Sequence, residues 1–160
     1  MTNDVPAIAK VLTNDPLPQC GAPSILRGVQ RLMRDINFTS ISEMSLANGR
    51  RADVIAINPQ GAIWIVEIKS SIADFRCDQK WPDYRDYCDA LLFAVTPDFP
   101  AEILPEDTGL IFADAYGGEI MRAAPQHPLS AARRKAVLMS FAMTAARRLH
   151  AFADPPERIL

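Results

Sequence analysis

The sequence has few cysteines, no long apolar run and no excess of positive charge. Its three cysteines, Cys20, Cys77 and Cys88, make an odd number without C-x-x-C spacing, which favours small buried side chains in a reducing cytoplasm over disulfides. The longest apolar runs have the length of strands, so no membrane span is predicted, and the first residues lack the features of a secretory signal. A net charge of −2 excludes a generally basic surface, so any positive charge that contacts nucleic acid must be local.

What is present fits one globular domain. A chain of 160 residues is long enough for a single core and too short for two. We expect an N-terminal arm over residues 1–22, which has room for a short helix near Pro6–Leu12, a domain over 23–153 and a loose tail over 154–160. Ser24 is the candidate N-cap of the first helix, whose apolar stripe is Ile25, Leu26, Val29, Leu32 and Met33. Ser130 is the candidate N-cap of a long C-terminal helix with the stripe Leu138, Phe141, Ala142, Ala145 and Leu149.

Two neighbouring runs read as strands that carry unexpected charge. Arg50–Ile57 and Ile63–Ser70 are rich in β-branched residues, yet the first contains Asp53 and the second contains Glu67 and Lys69. Unpaired charges buried in a sheet are costly, so these side chains need partners or a metal ion. Side chains alternate along a strand, so Glu67 and Lys69 should leave the same face of the sheet.

The preceding strand adds another acidic residue, Glu43. The run Phe38–Ala47 is joined to the Asp53 strand by Asn48-Gly49, a strong hairpin signal. A strict two-residue loop would set Glu43 opposite Val54, on the wrong face. One extra residue would set it opposite Ile55, on the face of Asp53, and we expect this second register because it gathers three carboxylates around one point.

The rest of the chain completes a mixed sheet. Residues 71–89 have an irregular helical pattern that is broken at Trp81-Pro82, and Ala90–Val95 is an apolar strand that should pair in parallel with the Glu67 strand. Gly109–Ala113 is a further strand, with an antiparallel partner at Glu119–Arg122. The predicted core order is therefore α-β-β-β-α-β, an α/β fold with helices flanking a mixed sheet.

These charged residues have a defined chemical use together. Carboxylates of Asp53 and Glu67 can bind Mg²⁺ or Mn²⁺, and the peptide carbonyl of Ile68 can add a third oxygen. Lys69 would orient a water molecule for in-line attack on phosphorus and offset negative charge in the transition state. A glutamate and a lysine separated by one residue form a weak signal alone, and its position at the end of an apolar strand, beside an aspartate, makes it specific.

From about Ser24 to Ala94 the chain resembles the PD-(D/E)XK nuclease superfamily, which has a restriction-endonuclease-like core. It is more closely similar to the MmcB family of candidate DNA-repair endonucleases over about residues 24–150. The stretches that carry this resemblance are Gly49-Arg50-Arg51-Ala52-Asp53-Val54, Trp64-Ile65-Val66-Glu67-Ile68-Lys69-Ser70-Ser71, Asp74-Phe75-Arg76, Lys80-Trp81-Pro82-Asp83-Tyr84 and Leu104-Pro105-Glu106-Asp107-Thr108-Gly109-Leu110-Ile111.

The resemblance implies metal-dependent cleavage of DNA in repair, with Asp53 and Glu67 as ligands of Mg²⁺ or Mn²⁺ and Lys69 as the catalytic lysine. It also implies DNA and DNA-repair proteins as partners and a cytoplasmic, nucleoid-associated location. Many superfamily members place a further glutamate on the first helix. This chain has none there, and Glu43 is the expected substitute.

Alternatives remain for each residue. Asp53 could cap a turn, and Glu67 and Lys69 could be an exposed pair at a strand end. Arg50 and Arg51 follow the hairpin tip and are candidate phosphate contacts, while Lys80 could reach the metal site, contact a DNA phosphate or simply face solvent. For the whole protein the alternative is a binding module that keeps the nuclease fold without turnover, and nothing separates DNA from RNA as the substrate. Cutting both strands of a duplex would require a homodimer or successive nicks.

Overall fold

The computed structural model describes residues 21–155, which form a six-stranded mixed sheet with helices on both faces. The elements are α1 (Ala22–Asp35), β1 (Thr39–Ser45), β2 (Arg51–Ile57), β3 (Ile63–Ile68), α2 (Ile72–Cys77), β4 (Ala90–Val95), β5 (Gly109–Ala113), β6 (Gly118–Arg122) and α3 (Ala131–Ala153), with short 3₁₀ helices at Trp81–Tyr87 and Ala101–Ile103. The predicted arm helix, Cys20 and most of the predicted tail lie outside the described residues. Within them, no helix is both long enough and apolar enough to cross a membrane.

The strands lie side by side in their order along the chain. β1, β2 and β3 are antiparallel neighbours, β4 and β5 continue in parallel, and β6 returns antiparallel to β5. This confirms the predicted α/β class, the parallel pairing of β3 with β4 and the long C-terminal helix. The parallel step depends on residues 69–89, which cross from the end of β3 to the start of β4.

Both faces of the sheet are buried. On one face, α1 inserts Ile25, Val29 and Met33 against the side chains of the central strands. On the other, Tyr84 and Tyr87 of the 3₁₀ helix and Val137 of α3 cover a second apolar cluster. The predicted α1 stripe is thus confirmed, and β4 is apolar throughout because neither of its faces meets solvent.

The predicted start of α1 was wrong. The helix begins at Ala22 after its N-cap Gly21, which has a positive φ of 88° and no side chain that could accept a capping hydrogen bond. Ser24 lies inside the first turn and is buried instead of serving as the N-cap. Pro23, which lacks an N–H, is well suited to this first turn because an N–H there has no partner within the helix.

The predicted hairpin forms, but its expected register was wrong. Gly49 has a φ of 80°, and the N–H of Leu46 donates to the carbonyl of Arg50. The loop therefore has one extra residue, Ala47, which precedes Asn48-Gly49. The expected register needed the extra residue after this pair, so the observed pairing is shifted in the opposite direction. Ile55 pairs with Ile41, and the flanking pairs Ser42–Val54 and Met44–Ala52 leave Glu43 opposite Asp53.

The predicted inner face of α3 was only partly right. Val137 is buried, and Leu138 and Phe141 are packed against the core, but Ala142 and Leu149 face solvent. Arginines complete the inner side instead: Arg134 reaches buried Asp89, and Arg148 donates to the carbonyls of Ser42 (2.5 Å) and Glu43 (2.9 Å) in β1. Ser130 is the N-cap, as predicted, and accepts a hydrogen bond from the N–H of Arg133.

Candidate functional site

The candidate site lies where β2 and β3 part. The last regular pair between these strands is Val54–Val66, and Asp53 and Glu67 come next, opposite each other. The N–H of Asp53 donates to Oε1 of Glu67 (3.1 Å), and the N–H of Ile68 donates to Oδ2 of Asp53 (2.8 Å). The two carboxylates therefore replace backbone hydrogen bonds that the separating strands no longer make. These hydrogen bonds give each carboxylate a structural role, which explains only in part why charged residues occur in these strands.

Lys69 lies directly after β3, and its N–H still bonds to the carbonyl of Ala94 in β4 (2.9 Å). Its ammonium group is 2.5 Å from Oδ2 of Asp78, and only 5% of the Lys69 side chain is exposed. The other oxygen of Asp78 accepts the N–H of Lys80 (3.0 Å), which fixes the carboxylate in the turn that follows α2. The structure thus holds a buried lysine in one position through its ion pair with Asp78.

These groups face one cavity of about 490 Å³. Its wall comprises the α1 residues Ala22, Pro23 and Leu26, together with Glu43, Asp53, Glu67, Ile68, Lys69, Asp74, Asp78 and Tyr84. Glu67 and Lys69 therefore share a face, as predicted. Neither is an exposed strand-end residue, because the two are 3% and 4% exposed.

The electrostatics of the cavity disfavour two ionised carboxylates side by side. Burial, and then the charge of Asp53, raise the pKa of Glu67 to about 8, while burial also raises the pKa of Asp53. Burial acts in the same direction on Asp78, but the hydrogen bonds from Lys69 and from the N–H of Lys80, together with the charges of both lysines, lower that pKa overall. Near neutral pH, Glu67 therefore retains a proton unless a cation stabilises its charged form.

The donor set fits a hard divalent cation. Asp53 and Glu67 present carboxylate oxygens at one place, and the described part of the chain contributes five acidic residues and one lysine to the lining of the cavity. Within residues 21–155, however, no three His, Cys, Asp or Glu side chains are close enough together to hold a metal ion. The expected three-carboxylate cluster is not formed, and a cation here would depend on Asp53, Glu67, a carbonyl such as that of Ile68 and water.

Of the predicted site residues, Glu43 has the least favourable position for binding a metal ion. It lines the cavity, but its side chain is 62% exposed and its carboxylate lies 3.6 Å from the guanidinium of Arg51. The backbone of Glu43 has a φ of 50°, which is strained for a residue other than glycine. The two hydrogen bonds from Arg148 to this part of β1 hold the kink in place.

The predicted DNA-contact residues are outside the cavity. Arg50 binds Asp83 through two hydrogen bonds of 2.9 and 3.1 Å, and Lys80 is exposed. Arg51 is near the cavity mouth because of its contact with Glu43.

Sequence reasoning missed Asp78, Asp74 and Tyr84 as members of the site. Tyr84 donates its hydroxyl to the carbonyl of Arg51 (2.9 Å), and burial, followed by the charge of Glu67, raises its pKa, so it remains protonated. Asp74 and Tyr84 fall within stretches that carry the family resemblance. Asp78 had no signal beyond its charge in an irregular segment.

Comparison with known proteins identifies the family of this chain. The family model described as "DNA repair protein MmcB-like" matches residues 13–156. The chain belongs to the MmcB-like family. A solved structure described as the "SPO1766 protein of unknown function from Silicibacter pomeroyi" is similar, with 44% sequence identity and a TM-score of 0.82, covering 91% of this MmcB-like chain and 99% of its own. None of the curated proteins compared matches it.

The buried Glu67 predicts an unusual dependence of stability on pH in metal-free buffer. Its folded pKa of about 8 lies above the ordinary value of 4.5, so its stabilising contribution is complete below 4.5 and is lost as the pH rises toward 8. We expect the thermal unfolding midpoint in EDTA to fall over this interval. In Glu67→Gln, which keeps the acceptor for the N–H of Asp53, the fall should be smaller. An equal fall in both proteins would contradict the assignment.

Proposed function

We propose that this MmcB-like protein is a metal-dependent DNA endonuclease that acts in DNA repair. One observation carries the proposal: Asp53, Glu67 and Lys69 meet in a single cavity where β2 and β3 part. The description of the family supports DNA as the substrate and repair as the process. The proposal includes a nucleoid-associated location in the cytoplasm.

The proposal also assigns the fold to the PD-(D/E)XK superfamily. In its support, α1 precedes three antiparallel strands, and helical residues then lead to a parallel fourth strand. Asp53 is on the second strand, and Glu67 and Lys69 are at the end of the third. This order and placement agree with the resemblance found in the sequence.

Asp53, Glu67 and the carbonyl of Ile68 are the groups that would hold Mg²⁺ or Mn²⁺. Such an ion polarises a phosphoryl oxygen and makes water a stronger nucleophile. The acidic wall of the cavity would otherwise repel a phosphodiester, because among residues 21–155 Lys69 is the one cation that lines it. Metal dependence is thus an electrostatic requirement of the proposal as well as an implication of the family.

Lys69 has the position of a group that orients the attacking water and stabilises negative charge on phosphorus. Asp78 is a positioning residue in this scheme, since it holds the ammonium group at 2.5 Å. Protonated Tyr84 lines the same cavity and donates its one hydroxyl hydrogen to the carbonyl of Arg51. Arg51 and Lys80, outside the cavity, are proposed to contact the DNA backbone, and Arg50 would do so after it leaves Asp83.

Asp78→Asn should lower the turnover number about tenfold while leaving KM nearly unchanged, because Lys69 loses its orientation but the DNA-binding surface is intact. Asp78→Glu should recover part of this activity, since the carboxylate is restored. The measurement is steady-state cleavage of a labelled DNA. Equal turnover by Asp78→Asn and the wild type would show that the ion pair has no part in positioning the lysine.

The experiment that tests the function is a panel of labelled flap, junction, mismatch, gapped and single-stranded DNAs. Each is incubated with the wild-type protein in Mg²⁺, in Mn²⁺ and in EDTA. The proposal expects cleavage of at least one DNA with a metal ion and none in EDTA. Labelled RNA of the same sequences shows whether the activity is selective for DNA.

A second candidate is a DNA- or partner-binding module without turnover. The observation that favours it is that the key side chains already bond within the protein: Asp53 and Glu67 to backbone N–H groups and Lys69 to Asp78. The pI of about 5.7 also favours it, because duplex-binding proteins usually show a basic surface. This candidate predicts no binding of Mn²⁺ by calorimetry and unchanged DNA binding in Asp53→Ala.

A further inference from the structure

The helix α3 has an apolar outer face. Met139, Met143 and Leu149 are 56%, 47% and 57% exposed. Exposed small side chains continue the same face along the helix: Ala142 and Ala146. Spacings of three and four residues place all of them on one side, opposite buried Val137. An apolar surface of this extent on a folded protein is typical of an interaction site.

The charged side chains of α3 all have one sign. No aspartate or glutamate occurs between Ala131 and Ala153. Lys135 lies on this face one turn before Met139, Arg147 lies at its edge one turn after Met143, and neither forms an ion pair within residues 21–155. Their positions along the helix differ by about 18 Å. By contrast, Arg134 and Arg148 are turned inward and bond to the domain.

A second copy of α3 is a poor occupant for this surface. An antiparallel pair centred level with Phe141 would place Lys135 of one copy level with Arg147 of the other, and in any register a second α3 offers no acidic residue to either cation. A parallel pair would place each cation level with its own counterpart. Both arrangements bring like charges together, which costs free energy at an interface.

We propose that the outer face of α3 is the docking site for an amphipathic helix of a partner protein. The helix would lay an apolar stripe on Met139, Met143 and Leu149 and carry acidic residues beside Lys135 and Arg147. A partner bound there would lie on the side of α3 that faces away from β1, because Arg148 bonds the inner side of the helix to the backbone of Ser42 and Glu43. The proposal stands independently of the nuclease function.

The test uses two fluorescein-labelled synthetic helices of about 20 residues. Both have an alanine and leucine stripe, and the flanking positions are glutamate in one and lysine in the other. Fluorescence anisotropy with the full chain should show that the glutamate peptide binds at least about tenfold more tightly than the lysine peptide. Met143→Glu should weaken the glutamate peptide by about tenfold or more, while the matched control Met121→Glu, at an exposed methionine of β6, should leave binding unchanged.

Equal affinity for the two peptides, no binding of either, or equal loss in the two variants would overturn the proposal. Sedimentation of the protein alone and flotation with anionic phosphatidylserine vesicles test two other occupants. A dimer or vesicle binding that Met143→Glu abolishes would also overturn it. Unfolding midpoints of both variants should stay near that of the wild type, because the substituted side chains are at the surface.

Discussion

Lys69→Met should lower the turnover number for metal-dependent DNA cleavage by about 100-fold or more. Methionine keeps most of the length of the side chain but removes the charge that would orient water and stabilise the phosphorane-like transition state. Binding of DNA should change little, since Lys69 is buried and is not part of the outer surface. Quenched single-turnover cleavage and equilibrium DNA binding measure the two quantities separately.

The matched control is Lys80→Met, which removes the same charge from an exposed lysine outside the cavity. We expect it to weaken DNA binding by a few-fold at low salt and to leave the single-turnover rate at saturation unchanged. If the two variants lose turnover equally, Lys69 has no special place in the chemistry. If Lys69→Met cleaves at the wild-type rate, the catalytic assignment is wrong.

Asp89→Ala should destabilise the fold by about 3–5 kcal/mol, the largest effect that we expect outside the candidate site. The buried carboxylate of Asp89 accepts two hydrogen bonds from Arg134 (2.6 and 2.7 Å) and one each from the N–H groups of Ile63 (2.8 Å) and Leu129 (2.9 Å). It thereby ties the start of β3 to α3 and the loop before it. Alanine would leave all of these donors without their acceptor. Urea unfolding measures the loss.

Asp83→Ala is the control for this prediction, because Asp83 also pairs with an arginine but at the surface. Its partner is Arg50 at 2.9 Å, and the Asp83 side chain is 50% exposed. An exposed pair contributes at most about 1 kcal/mol. Equal destabilisation by the two substitutions would show that the Asp89 network has no special role in holding α3 to the sheet.

Much of the fold and the centre of the site could be predicted from local patterns. β-Branched runs and turn residues located the strands, and the conflict between an apolar strand and a charged side chain singled out Asp53, Glu67 and Lys69. Burial of Glu67 and Lys69 in one cavity agrees with that inference. These features were accessible because each depends on the identity of a residue and its neighbours in sequence.

The features that sequence reasoning missed depend on tertiary geometry. Whether the extra hairpin residue fell before or after Asn48-Gly49 decided the partner of Glu43, and the local sequence allowed both. Asp78 reaches Lys69 only because an irregular turn folds back toward the end of β3. The exposure of Leu149 depends on how α3 is rotated on the sheet, and the Arg134 and Arg148 bonds help to set that rotation.

The central claim is that Asp53, Glu67 and Lys69 form a site for metal-dependent cleavage of DNA. The most direct measurement is the cleavage of the labelled DNA panel by wild type, Lys69→Met and Lys80→Met in Mn²⁺ and in EDTA. The account predicts metal-dependent product with wild type and Lys80→Met and almost none with Lys69→Met. Failure of the wild type to cut any DNA with either metal ion, or undiminished cutting by Lys69→Met, would contradict it.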